Sequence, residues 1–141
     1  MSYQELLDRQ TKEANDFAKG KIYFIFAGNE TEFKRKLAEL GLNRDELLNI
    51  GGGGYLISKY KKEFKQLLYR HSKEKHDYLR ANIYEVVKYY LWDFEMEISI
   101  SMTLNELLYD YLGLTKDQVK ENANIINKAI DDYKKEFYEC N

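Results

Sequence analysis

NIGGGGYLISK, residues 49–59, sets four consecutive glycines, Gly51–Gly54, between the apolar Leu47, Leu48 and Ile50 and the apolar Tyr55, Leu56 and Ile57. Half of the chain's 8 glycines fall in this tetrad. Apolar runs broken by glycine predict a strand, a glycine loop and a second strand. Glycine removes every Cβ and allows positive φ, so a backbone or a ligand can come close. Two glycines suffice for a tight hairpin. The tetrad therefore has two readings, a contact site for a ligand or partner and a purely geometric turn.

The rest of the chain is read outward from that hairpin. KIYFIFAG, residues 21–28, is dense in β-branched and aromatic residues and apolar on both faces. It predicts a buried central strand over 21–27 that pairs with the strand after the glycines. Residues 3–18 predict an amphipathic helix with Tyr3, Leu6, Leu7, Ala14 and Phe17 mainly on one face. Asn29 or Thr31 caps a helix over about 30–40, which Gly41 ends with Leu42 as its apolar contact. Asn43 and Glu46 form a capping box for one further turn.

Residues 59–80 predict a long basic helix with Tyr60, Phe64, Leu67, Leu68 and His71 inward. Residues 82–94 predict an apolar helix, with Ile83, Val86, Val87, Tyr90, Leu91 and Phe94 central to the core. MEISISM, residues 96–102, alternates apolar with polar and predicts a half-buried edge strand. Two more capping boxes, Thr103 with Glu106 and Thr115 with Gln118, open helices over 104–112 and from 115 to about 138. The last is expected to turn Val119, Ala123, Ile126, Ile130, Tyr133 and Phe137 inward. The fold class is α+β: one domain over 1–141, a small sheet of about three strands (near 21–27, 48–58 and 96–102) and five or six helices.

The 141 residues suffice for one core. Tyrosine supplies 13 of the aromatics beside 7 Phe and 1 Trp, so many core rings carry a hydroxyl that needs a partner. Net charge is −2, which argues against a general nucleic-acid binder. Residues 58–80 hold 8 basic and 3 acidic side chains, and residues 81–141 hold 6 basic and 12 acidic. That asymmetry gives either a positive patch beside the glycine loop or a basic helix paired with an acidic neighbour. No apolar run approaches the ~18 residues of a membrane span, and no apolar segment follows Met1. With a single cysteine, Cys140, the chain is expected in a reducing compartment, the cytoplasm.

Several chemistries lack their residues. No Gly-Lys-Ser/Thr follows the tetrad, so it is not a Walker loop, and GGGG lacks the spacing of the dinucleotide fingerprint. Backbone N–H groups in such a loop can still form an anion-binding nest, with Lys59, Lys61, Lys62 and Arg70 following on the basic helix. His71, Glu74 and His76 have the wrong spacing for one metal, since i and i+5 lie about 140° apart on a helix. Cys140 sits at a terminus expected to fray, and no Gly-x-Ser-x-Gly occurs. No catalytic residue, metal ligand or cofactor is expected, and the chain reads as non-enzymatic.

YQELLDRQTKEANDF at 3–17, the LGL corner at 40–42 and NIGGGGYLISK at 49–59 followed by Phe64 and His71 carry a resemblance. The chain resembles an uncharacterised family of short proteins carried by phages and mobile elements of low-GC Gram-positive bacteria, mainly over residues 3–80. The resemblance implies a context: small acidic accessory proteins of such elements commonly counter host defence. It implies no catalytic or binding residue.

Three expectations follow. The chain is an inhibitor of a host defence protein in the bacterial cytoplasm, its acidic C-terminal half meeting a basic surface and its glycine loop serving as a contact point. Alternatively it sequesters a signalling nucleotide, with Gly51, Gly52, Gly53, Gly54, Lys59, Lys61 and Arg70 cradling phosphate and Tyr55 stacking on the base. Alternatively it is a structural or regulatory protein of its element. A homodimer through strand 96–102 is a further expectation.

Overall fold

The computed structural model describes residues 1–139, so the reading of Cys140 lies outside the described residues. The fold is α+β, a three-stranded antiparallel sheet among helices. The chain forms two compact units, Gln4–Glu74, and Met1–Tyr3 with the residues from Lys75 onward.

In the first unit, α1 (Tyr3–Ala18, whose first residue belongs to the second unit) leads into β1 (Ile22–Phe24). Then come α2 (Glu30–Leu40), a 3-10 turn at Arg44–Glu46, β2 (Leu47–Gly51), β3 (Gly54–Ile57), a second 3-10 turn at Ser58–Tyr60, and α3 (Lys61–Ala81), whose residues from Lys75 on belong to the second unit. Asn29 caps α2 by accepting the Glu32 N–H, and Gly41 closes it in the left-handed region. Asn43 accepts the Asp45 N–H and opens the 3-10 turn.

The strand order is β1-β3-β2. The run 21–27 is therefore an edge strand, not the central one that its apolar character predicts. Its β structure covers only Ile22–Phe24, and Phe24 and Phe26 are exposed. The central position goes to β3, whose Leu56 is flanked by Ile22 and Leu48 and is fully buried. Tyr55 packs against Phe33 of α2 with ring centroids 5.3 Å apart, and Phe17 of α1 stacks on Phe64 of α3 at 5.7 Å. Leu68, expected inward, is exposed.

In the second unit, α4 (Ile83–Asp93) and α6 (Ala123–Glu139) form the main helix pair. Ile83, Val86, Val87, Tyr90 and Leu91 of α4 are buried, as are Ile126, Ala129 and Tyr133 of α6. A π-helical segment, Glu106–Tyr111, contributes Leu107 and Leu108. The complete capping box of Thr115 and Gln118 opens α5 (Lys116–Glu121). The helix expected from 115 to 138 is broken at Asn122, whose N–H and side-chain amide both donate to the Gln118 carbonyl. The tyrosine hydroxyls find partners: Tyr3 with Tyr90 (2.7 Å), Tyr84 with Asp132 (2.5 Å), and Tyr133 with the Glu97 N–H (3.0 Å). Burial pushes the Tyr3 and Tyr90 hydroxyls above the usual phenol range.

The strand expected at 96–102 does not form. Glu95 sits at φ 48. The Glu95 carbonyl accepts from Ile98 and Ser99 N–H, and the Met96 N–H returns to the Leu91 carbonyl. These local bonds use the groups a ladder needs. Met96 and Met102 are half-buried, while Ile98 is exposed and Ile100 fully so. The homodimer expected through this strand loses its structural premise.

Candidate functional site

The glycine tetrad is the turn of the β2–β3 hairpin. Gly52 and Gly53 are its two central residues, with φ of +59 and +80, the pair of positive angles that a type I′ turn requires. Gly51, at φ +87, follows the irregularity at Ile50, where the register slips between Asn49 and Gly51. The Gly51 N–H donates to the Asn49 side chain (2.9 Å). Gly54 is buried, and a Cβ there would stand 3.1 Å from Ile50 Cγ1 and 3.2 Å from the Gly51 carbonyl oxygen. A Cβ on Gly53 would stand 2.8 Å from Phe26 Cζ, too close for real atoms. Each glycine thus answers a local steric demand.

The hairpin's surroundings are apolar and aromatic. Gly54 is the register partner of Phe24, and the Gly53 carbonyl accepts the Ile25 N–H (2.9 Å). Bare Gly53 in the turn lets the Phe26 ring, just past β1, lie close; glycine opposite an aromatic is a recurrent way to seat it. Phe24 and Phe26 are 64% and 65% exposed all the same, and Leu40 and Ile50 are exposed beside them. A cleft of about 300 Å³ lies between β1 and the end of α2, lined by Phe24, Ile25, Phe26, Lys36, Glu39 and Leu40. Scattered single apolar residues on a surface are ordinary; two adjacent phenylalanines over a cleft form a patch of the kind that marks interaction sites.

The residues expected to cradle phosphate are not gathered at the turn. Lys59 and Lys61 lie past the far end of β3, and four residues of strand put ~13 Å between the two ends. Arg70 lies nine residues further along α3 than Lys61, ~13 Å from it by helical rise. Arg70 is also held by Glu13 (2.5 Å) and Glu74 (3.4 Å). Tyr55 faces Phe33 and is half-buried rather than projecting for a base. Lys59 and Lys61 thus stand a strand's length from the turn, and Arg70 is committed to Glu13 and Glu74.

Arg70 belongs to an ion cluster between α1 and α3. Glu13 accepts from Arg9 (2.6 Å), Arg70 and His71 (3.0 Å), and Arg9 also reaches Glu74. The Arg70 guanidinium, then His71 and Arg9, hold the Glu13 carboxyl down at about 2. Gln10, buried at the same place, donates to the His71 carbonyl (3.0 Å). This answers the alternatives left open by charge: in this part the basic helix is paired with acidic neighbours. His71 thus serves a hydrogen bond to Glu13 (3.0 Å), and His76 is exposed. Among the described residues no group of three or more His, Cys, Asp or Glu is placed to hold a metal ion.

The acidic C-terminal half is also partly committed within its unit. Asp132 accepts from Tyr84 and Lys128, Glu136 from Lys88 and Trp92, Glu97 from Tyr138, and Glu85 from Tyr78 and the Tyr3 N–H. No helix among the described residues is long and apolar enough to cross a membrane.

Fold and site together define an α+β protein with a glycine hairpin beside an exposed aromatic strand edge. The chain belongs to a family described as of unknown function (DUF7659), whose model matches residues 2–136. The family match thus extends well beyond residues 3–80. No curated protein and no solved structure matches the chain.

Proposed function

We propose that the chain is a non-enzymatic binding protein of a phage or mobile element that acts by occupying a host defence protein. The observation that carries a binding role is the pair Phe24 and Phe26, both largely exposed and both lining the β1–α2 cleft, with Phe26 packed against bare Gly53. Aromatic residues are enriched where proteins meet, and a soluble chain leaves such a patch uncovered at a risk of aggregation. The contact surface is then Phe24, Phe26, Ile50 and the Gly51–Gly54 turn. The likeness of the 49–59 motif to mobile-element proteins is what points to a host protein as the partner.

The test is affinity capture from a bacterial host lysate with the full chain and with Phe24→Ser/Phe26→Ser. Both positions are largely exposed, so the variant is expected to stay folded with a melting temperature within a few degrees of wild type. A host protein captured stoichiometrically by the wild type and lost by the variant supports the reading. Capture that is indifferent to both phenylalanines removes it.

A further inference from the structure

The edge of β1 has a backbone pattern as well as side chains. The Ile57 N–H donates to the Lys21 carbonyl (2.8 Å) and the Ile25 N–H to the Gly53 carbonyl (2.9 Å), with Tyr23 opposite Tyr55 between them. In an antiparallel ladder the bonded positions alternate. Lys21, Tyr23 and Ile25 therefore turn their peptide groups toward β3, and Ile22, Phe24 and Phe26 turn theirs to the outer edge. The Lys36 ammonium confirms the direction, since it reaches the Phe26 carbonyl from α2. β1 is a terminal strand of the sheet, so no fourth strand covers that edge among the described residues.

We infer that an extended segment of the partner protein adds to this edge as a fourth strand, pairing with the peptide groups of Ile22 and Phe24. This rests on the reading of the aromatic rim as the contact surface. Alternating donors and acceptors along an edge are complemented by another strand and by little else. Lys36 occupies the last outward carbonyl and so sets where the added strand ends, in keeping with the use of lysine to blunt strand edges. Side chains of the added strand alternate between the two faces of the sheet, so every second one is offered to the cleft that Phe24, Ile25 and Phe26 help to line.

The chemistry of the cleft selects what enters it. Lys36 is held by Glu32 (3.3 Å) and the Phe26 carbonyl, and Glu39 by Arg35 (3.1 Å). With its charges paired internally and Ile25 and Leu40 on its walls, the cleft takes an apolar or aromatic side chain. A second copy of this chain is a poorer occupant. A three-residue strand paired with its own image falls short of the ~1,200–2,000 Å² that stable interfaces bury, whereas a flexible segment follows the edge and fills the cleft.

The experiment compares Phe24→Val with Phe24→Pro in the full chain. The position 24 N–H points outward, so proline there leaves the β1–β3 ladder intact, and proline is tolerated on such edges. The probe is a displayed library of random ten-residue peptides selected on the wild type, with sedimentation of the chain alone alongside. Selected peptides are expected to be rich in aromatic and β-branched residues, to bind Phe24→Val within threefold of Phe24→Ser, and to lose at least tenfold further on Phe24→Pro. N-methylation of a selected peptide at alternate residues is expected to abolish binding, and at the intervening ones to spare it. Equal binding by the valine and proline variants, or no alternation on N-methylation, overturns strand addition while leaving the aromatic rim as a contact surface. Selection that yields no binder, or binders indifferent to Phe24→Ser, overturns both. Concentration-dependent dimerisation lost in Phe24→Pro overturns the inference by giving the edge to a second copy.

Discussion

Alanine at Gly53 tests the hairpin and the rim in one substitution. Two penalties combine there. A residue with a Cβ in the left-handed region costs roughly 1–2 kcal/mol relative to glycine. The new Cβ would also fall 2.8 Å from Phe26 Cζ and 2.9 Å from Phe26 Cδ1, so the ring must swing off the turn. Because Phe26 is largely exposed, the ring can move at the cost of a few contacts, on the order of 0.5 kcal/mol from dispersion. Gly52→Ala supplies the control, since φ there is also positive but nothing lies within 4 Å of its Cβ. Gly52→Ala is expected to cost ~1–2 kcal/mol and Gly53→Ala about half a kilocalorie more. The corresponding melting shifts are a few to ~10 °C. The assay pairs thermal melting by circular dichroism with aromatic NMR of Phe26. Gly53→Ala is expected to move the Phe26 ring resonances and Gly52→Ala to leave them in place. Identical stabilities with an unmoved Phe26 ring in both variants would refute the packing of Phe26 on Gly53.

Other expectations follow from the two units. Glu13, depressed to about 2 by Arg70, His71 and Arg9, contributes stability that is complete above its unfolded value near 4.5 and is lost as pH falls toward 2. After discounting for its partly exposed side chain, that contribution is ~1–2 kcal/mol, so urea melts of Glu13→Gln are expected to fall below wild type at pH 7 and to converge with it near pH 2. Glu85→Gln leaves the Tyr3 N–H and Tyr78 hydroxyl sharing one acceptor oxygen where each now has its own at 2.5 Å, an expected loss of ~1–3 kcal/mol by denaturant titration. Ile98→Ser with Ile100→Ser is expected to leave the melting temperature within about a degree, because both side chains already face solvent. A loss of several degrees there would show that the 96–102 segment packs as the edge strand its alternation suggests.

Much of the fold was legible where side-chain pattern and local chemistry agree. The glycine hairpin, the helices over 3–18 and 30–40, and the Thr115–Gln118 box all declare themselves through caps, turns and periodicity. The errors arise where pattern is silent about partners. Dense apolar character at 21–27 reads as a central strand, yet Phe24 and Phe26 are exposed on an edge, and composition alone does not tell an exposed aromatic edge from a core strand. The alternation of 96–102 is real, but Glu95 at positive φ and bonds back to Leu91 and Glu95 turn the segment before it can pair. The lysines after the tetrad are close in sequence and distant in space, because β3 runs away from the turn before the basic helix starts. The rim itself was overlooked for the same reason: neither the seating of Phe26 on Gly53 nor the pairing of Phe24 with Gly54 has a signal within a single segment.

The most direct measurement is site-specific photocrosslinking in host cells, with benzoylphenylalanine in place of Phe24 and, separately, in place of Tyr69 on the exposed face of α3. The account predicts a discrete adduct with a host protein from position 24 and none from position 69. An adduct from position 69 with none from position 24 would contradict the claim that the β1 edge is the binding surface.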